Sequence, residues 1–403
     1  MFISRQDNRL TGEKIRTAYN DVRHSINSIQ QDRSKRLSGA LLLLTLAVLI
    51  LPGSALLFSK QTANAAQTNP SHLAFANTRG GRGGRAVPGL TPQDLWKQYN
   101  LPGVNGGAGQ LLAVVIDSGE PNIESDLTAY SQRFGLPTCT VANGCLTIKN
   151  RGGQPISPGP DEAEGTLDLE TIHAVAPQAK LLLYSVQHGG DALARGPADL
   201  MNMPGLKAIN MSYGFGGNTQ QYQALFANNP HNISLFAASG DSGHGPTAHP
   251  ASYPGVIAVG GTTITNGVEA AWRGAGGGLA SNLPEPAYQK TYGIPQANGL
   301  RGVPDVAAVA GTPMTIYLRG QWNAMVGTSV AAPIWTGIAG LVNKPITHDM
   351  LYSLAKSQPD SFTDITRGTN GSCGFLCSAQ TGYDYITGLG TPKNFVKNVN
   401  ALP

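Results

Sequence analysis

Charge is scarce in this chain. Of its 403 residues only 13% are charged, with 28 Lys and Arg against 24 Asp and Glu, a formal net charge of +4. The basic residues are scattered apart from the N-terminus and one Arg-Gly run, so there is no basic stripe of the kind that holds nucleic acid. No repeat of fixed period is present, which excludes a solenoid or propeller. Cysteine is scarcer still: Cys139, Cys145, Cys373 and Cys377 form two short-range pairs far apart in sequence. Their spacing does not fit two zinc CxxC knuckles. In an exported protein the simplest pairing closes two small loops, Cys139–Cys145 and Cys373–Cys377. Four cysteines allow three pairings, and four free thiols are the other reading. Long apolar runs are also missing, with one exception at 40–58, "ALLLLTLAVLILPGSALLF".

That exception follows Arg33, Lys35 and Arg36, the order expected of a segment inserted with its N-terminus in the cytoplasm. Pro52-Gly53 breaks the run and Ala63-Asn64-Ala65 offers a small-residue cleavage site, so residues 1–65 read as an n-region plus signal peptide. The run is just long enough to span a bilayer, so an uncleaved signal anchor is the alternative. Either way residues 66–403 are expected outside the cytoplasm, where disulfides persist. Residues 66–88, containing "NTRGGRGG", read as a Gly/Arg-rich linker, either a solvated tether or an exposed processing site.

What the chain has in quantity is glycine (51) and proline (27), with 41% apolar residues, a globular composition rich in turns. From 89 onward apolar strands alternate with helices. The spacing predicts helices over 90–102, 124–137 and 162–177, and buried strands over 109–120, 179–187, 206–214, 233–241 and 255–264. This pattern implies one domain, 89–403, of α/β class: a mostly parallel central sheet flanked by helices on both faces. Functional residues are expected at the carboxyl ends of the strands.

"GTSVAAP" (327–333) places Ser329 at the start of a buried helix, as a serine nucleophile is placed. Its hydroxyl needs a base. One reading is a subtilisin-like protease with Asp117, His188 and Ser329 in that order. Two features oppose it. His188 directly follows a strand rather than opening a helix. The strand "SLFAASGD" ends in Asp241, where a subtilisin places an amide donor for the oxyanion. A carboxyl group there donates only when protonated, which points to acid. The second reading starts from "EAEGTLDLE" (162–170). Glu164 and Asp168 are four apart and share a helix face, while Leu167, Leu169, Ile172 and Val175 supply apolar positions. Two adjacent, partly buried carboxyls share a proton readily, and a glutamate so held can accept the serine proton. On its own such a pair is a weak motif and more often means two acids on a solvated helix face.

"EAEGTLDLE", "AASGDSG" and "GTSVAAP", in this order, resemble the sedolisin family of serine-carboxyl peptidases. "LTPQDLWKQYNLP", "HPASYPGVIAVGGTT", "AAWRGAGGGLA" and "GVPDVAAVA" are also similar to family stretches, so the likeness covers about 89–403. "FGLPTCTVANGC" resembles a bacterial subset with two extra cysteine loops. The resemblance implies a subtilisin-like fold with Ser329 as nucleophile, Glu164 as general base and acid, Asp168 as its partner and Asp241 as oxyanion donor. It implies hydrolysis of proteins or peptides in acid, through an acyl-enzyme. "FTDITRGTNGSC" followed by "GYDYITGLGTP" resembles the family's calcium site. That assigns one structural Ca2+ to the carboxylates of Asp364 and Asp384 and the carbonyls of Ile365, Gln380 and Gly382. Gln380 stands where the family usually has glycine, and Val326 where glycine more often precedes Gly-Thr-Ser. The linker at 66–88 is too short for the folded propeptide typical of the family. A secreted monomer is expected, with membrane contact only through 40–58. Other acids and rings have smaller expected roles: Asp117 as a strand-end acid near the cleft, Glu170 as an aid to the pair or a cap, and His173, His244 and His249 as packing or surface groups. Trp272 lines a groove or makes a tight turn, and Asp305 is structural. A catalytically dead binding protein on the same fold is the competing class.

Overall fold

The computed structural model describes residues 68–69, 74–75, 89–159, 162–216, 219–245 and 247–403. The apolar run at 40–58 and the expected cleavage site lie outside them. No described helix is long and apolar enough to cross a membrane.

Eight strands build the main sheet: β1 Leu111–Ile116, β2 Leu146–Asn150, β3 Lys180–Ser185, β4 Leu206–Met211, β5 Ser234–Ala238, β6 Ile257–Thr265, β7 Val268–Ala271 and β8 Val306–Val309. Their order is β7-β6-β5-β4-β1-β3-β2, with β8 also paired to β6. All pairings are parallel except that of β7 with β6. β1 reads LLAVVI and β5 SLFAA, continuous apolar runs because both faces of a parallel sheet are covered. Alternate residues of β1 show it: Leu112, Val114 and Ile116 enter one core, Ala113 and Val115 the other.

The helices are α1 Pro92–Tyr99, α2 Ile123–Phe134, α3 Glu162–Val175, α4 Gly190–Leu200, α5 Thr219–Ala227, α6 Ala287–Tyr292, α7 Thr328–Ala339, α8 His348–Ser357 and α9 Phe395–Asn400. Local chemistry sets their ends. Thr91 caps α1 in a reciprocal pair with Asp94, a device worth about 1 kcal/mol, and Pro92 starts the first turn. Gly135 stops α2 in a left-handed conformation, φ +67°. The three helices expected over 90–102, 124–137 and 162–177 are thus α1, α2 and α3. The five expected strands are β1, β3, β4, β5 and β6.

α3 departs from the amphipathic helix read from its apolar positions. Every residue from Glu164 to Val175 is buried. The helix is packed between the sheet and α7, closely enough that a Cβ on Gly337 of α7 would lie 2.6 Å from Val175 Cβ. A helix covered on all sides has no polar face to give to water, so its acids go into the interior.

A hairpin of β9 Met314–Leu318 and β10 Gln321–Val326 leads directly into α7. Its turn, Arg319-Gly320, has positive φ at both residues, 49° and 78°. In the stretch read as a linker, Thr68–Asn69 pairs antiparallel with Gly214–Phe215. Ala74–Phe75 pairs likewise with Met325–Val326. Both disulfides close as the simplest pairing, Cys139–Cys145 and Cys373–Cys377.

Candidate active site

Ser329 is the second residue of α7 and only 1% exposed. β10 carries the chain to it through Gly327, whose φ of +149° suits glycine. A side chain there would also collide with Asp241, since its Cβ would lie 2.7 Å from Asp241 Oδ2. The Ser329 hydroxyl donates to the Ser212 carbonyl at 3.5 Å. Ser212, just past the end of β4, donates its own hydroxyl to Asp168 Oδ1 at 2.7 Å and accepts from Asn210 Nδ2 at 2.9 Å. Asn210 is held in turn by Thr336 of α7 at 3.2 Å. One residue, Ser212, therefore touches both the serine on α7 and the acid on α3.

Glu164 and Asp168 are 1% and 0% exposed. Burial pushes the Asp168 carboxyl well above its ordinary range. Hydrogen bonds involving Ser212, Asn210 and Glu164 oppose that shift without cancelling it. The acids are therefore not on a solvated face. Two neighbouring carboxyls in a dry site can share a proton, because ionising both there is costly. Glu170, also on α3 and fully buried, accepts the Tyr317 N–H at 2.8 Å. Burial raises it too. His173 Nε2 meets the Pro137 carbonyl at 2.9 Å, and burial holds that imidazole down to about 4, so it is a neutral packing group.

Asp241 follows β5. Its Oδ1 accepts from the Thr328 backbone N–H at 2.7 Å and from the Thr328 hydroxyl at 2.8 Å, and that hydroxyl accepts from Gly240 N at 3.1 Å. The carboxyl is thereby locked at the N-terminus of the helix that carries Ser329, within one residue of it. Asp117 and His188 also lie at strand ends, after β1 and β3. Their side chains stand 3.8 Å apart, with the imidazole half exposed and packed over Gly159. The Ser329 hydrogen bond goes to Ser212 rather than to this imidazole.

The residues expected to hold calcium also converge. Asp364 Oδ2 accepts from Gly382 N at 2.9 Å. Asp384 accepts from Ile386 N, Thr387 N, the Thr387 hydroxyl and Gln380 N. Both carboxylates thus reach one turn, 380–384. Burial raises Asp384 to about 6 and Asp364 in the same direction, against the hydrogen bonds they accept. If the carbonyls of Ile365, Gln380 and Gly382 join the two carboxylates, the donors are all oxygen, a set that would suit a hard cation. Among the described residues, one group of three His, Cys, Asp or Glu side chains comes close enough to share an ion: His244, Cys373 and Cys377. Its two cysteines are joined in a disulfide.

Trp272 lies over Gly274 and Gly311, each too close to it to tolerate a Cβ, so it makes a tight local packing unit. His249 stacks on Tyr253 with ring centroids 4.4 Å apart. The residues that the sequence reading missed are Ser212, Asn210 and Thr328. Ser212 stands at a strand's carboxyl end, the one signal that could have marked it.

The subtilase family (Peptidase_S8) matches residues 152–355, half of the chain. The chain belongs to the subtilase family. Its relatives place it among the sedolisins. It is 27% identical to kumamolisin of Bacillus sp. strain MN-32 over 348 residues, 76% of this chain and 62% of that protein. It is 27% identical to sedolisin of Pseudomonas sp. strain 101 over 354 residues, 75% of this chain and 60% of that one. The chain thus spans about 60% of the length of these two relatives. The solved structure of Pseudomonas sedolisin, a serine-carboxyl proteinase complexed with two molecules of pseudo-iodotyrostatin, superposes with a TM-score of 0.69. It is 25% identical, covering 79% of this chain and 98% of that one. The α/β fold with a mostly parallel sheet is therefore that of the family.

Proposed function

We propose that this subtilase is an acid-acting serine-carboxyl peptidase that hydrolyses peptide bonds through an acyl-enzyme. The observation that carries the reading is the double role of Ser212, which links the Ser329 hydroxyl to a buried carboxyl pair rather than to an imidazole. In this reading Glu164 takes the Ser329 proton as the hydroxyl attacks the substrate carbonyl, and Asp168 orients Glu164 and steadies the shared proton. Asp241, protonated in acid, donates to the oxyanion of the tetrahedral intermediate. Glu164 returns the proton to the leaving amine, and water then enters by the same route in reverse. A pair that must hold one proton, and a carboxyl that must donate, both call for low pH.

The substrate class follows from backbone geometry. Two short edges, Gly214–Phe215 just after Ser212 and Met325–Val326 just before Gly327, each pair with an extended dipeptide of the chain's own N-terminal stretch. An extended peptide substrate would add to the same edges. The Asp364 and Asp384 site would hold one Ca2+, which supplies the positive charge those carboxylates lack. The two disulfides support an extracytoplasmic location.

Cleavage of a denatured protein in acid tests the assignment. Ser329→Ala and Glu164→Ala are expected to abolish it and His188→Ala to retain it. Activity in Glu164→Ala with loss in His188→Ala would instead make the histidine the base.

A further inference from the structure

Gly165 is an odd residue for the first turns of α3. Glycine inside a helix costs roughly 1 kcal/mol relative to alanine, and here it directly follows Glu164. Its missing side chain is replaced by Glu120. An ideal Cβ at 165 would lie 2.7 Å from Glu120 Oε1 and 2.8 Å from its carboxyl carbon. Glu120 comes from the loop between β1 and α2, is 8% exposed, and has Oε1 buried with no hydrogen-bond partner among the described residues. The charged groups around it come from every packed element: Glu162 and Asp168 of α3, Asp126 of α2, and Arg319 of the β9–β10 turn. Of these groups Arg319 alone is a cation, and its guanidinium is engaged by Glu162. Burial first, then Glu162 and Asp168, push Glu120 up to about 10. A third carboxyl thus lies against Gly165, the residue next to the proposed base in the chain, and stays neutral in acid. Nothing in the reaction described above uses it.

We propose that Glu120, seated in the notch of Gly165, is a positioning residue that fixes Glu164 and keeps water from the Glu164–Asp168 pair. The inference rests on Glu164 being the base. Without the Glu120 carboxyl the notch would admit water, the pair would lose part of the desolvation that holds its proton, and the base would lose its fixed orientation. As a neutral acid Glu120 adds no third charge to the site, which a lysine or an ionised aspartate in the notch would do.

The test compares Glu120→Ala, Glu120→Gln and the double variant Glu120→Ala/Gly165→Ala for kcat, KM, pH profile and thermal stability. Glu120→Ala is expected to lower kcat about 100-fold, the scale of a misplaced reacting group, with little change in KM and with the basic limb of the profile moved to lower pH. Glu120→Gln, neutral and of the same size, is expected to recover most of that loss. In the double variant the alanine at 165 fills the notch and restores helix propensity. It should regain thermal stability yet stay slow with the shifted profile. If the double variant regains rate and profile along with stability, Glu120 is only packing and the inference is overturned. Glu120→Gln as slow as Glu120→Ala overturns it as well. Should Glu120→Ala fail to fold, the other two variants decide. Full activity in Glu120→Ala beside an inactive Glu164→Ala overturns this inference alone. Activity in Glu164→Ala overturns the assignment of the base together with it.

Discussion

Asp305 and Asp168 are both fully buried carboxyls, and their surroundings give them opposite character. Burial alone would raise either one. Around Asp305 that effect is overcome: Arg301 lies 2.6 Å away, His348 3.4 Å, the Tyr352 hydroxyl 2.9 Å and the Ala258 N–H 2.8 Å. Together they hold Asp305 well below the usual carboxylate range. Around Asp168 the neighbours are hydroxyl, amide and carboxyl groups, and burial wins. The difference is the supply of positive charge. The acid that ties β6 to β8 and α8 has its own arginine and stays an anion. Asp168 and Glu170 of α3 have no such ion pair among the described residues, and burial raises both carboxyls. The Asp364–Asp384 turn is intermediate: burial raises both carboxyls, and backbone and hydroxyl donors oppose the shift.

The comparison can be broken in several places. The largest effect is expected in the reacting group: Ser329→Ala or Glu164→Ala should lower kcat by about 10⁴-fold or more, measured on a peptide substrate in acid. Folded Asp305→Asn should keep its kcat. Next is Arg301→Met, which strands the Asp305 anion. A loss of about 3–5 kcal/mol in denaturant unfolding is expected, and an unchanged midpoint would mean that Asp305 does not depend on its arginine. Chelation of calcium should then lower the melting temperature in proportion to the lost binding energy, about 2.7 kcal/mol for an ion at 100 times its Kd. No shift would remove the ion from the account.

The smallest effects are the pH slopes, and their signs differ. Glu120 and Glu170 have raised folded pKa values, so their contribution is intact below the unfolded value near 4.3 and is lost as pH rises above it, by up to about 1.4 kcal/mol per unit and group. Glu170→Gln should flatten the fall in stability between pH 5 and 7. His173 has a depressed value of about 4, so its share is present above 6.5 and lost as pH falls between the two. His173→Leu should flatten that window whatever it does to absolute stability. A variant that steepens its own window would show that the sign has been misjudged.

Much of this was legible in the chain itself. The strands announced themselves as apolar runs, the helix ends through Thr91, Pro92 and Gly135, and the serine proposed as nucleophile through Gly-Thr-Ser. The burial of α3 was not legible. Leu167, Leu169, Ile172 and Val175 look like one apolar stripe, and only the packing of α7 on the other side shows that the acids are enclosed too. Ser212 was silent because a serine at a strand end carries no spacing of its own, and its role needs both helices in place. Gly165 carries no signal of its own, because Glu120, which fills its place, lies far from it in the chain. The β9–β10 hairpin was missed because its turn, Arg319-Gly320, lacks the usual Asn-Gly signal.

The central claim is that a carboxyl pair, and not a histidine, activates Ser329. The most direct measurement is the pH dependence of kcat/KM for the wild-type protein and His188→Ala on one peptide substrate. The account predicts an acid optimum that His188→Ala leaves in place. A neutral optimum with a single ionisation near 6.5, lost in His188→Ala, would contradict it.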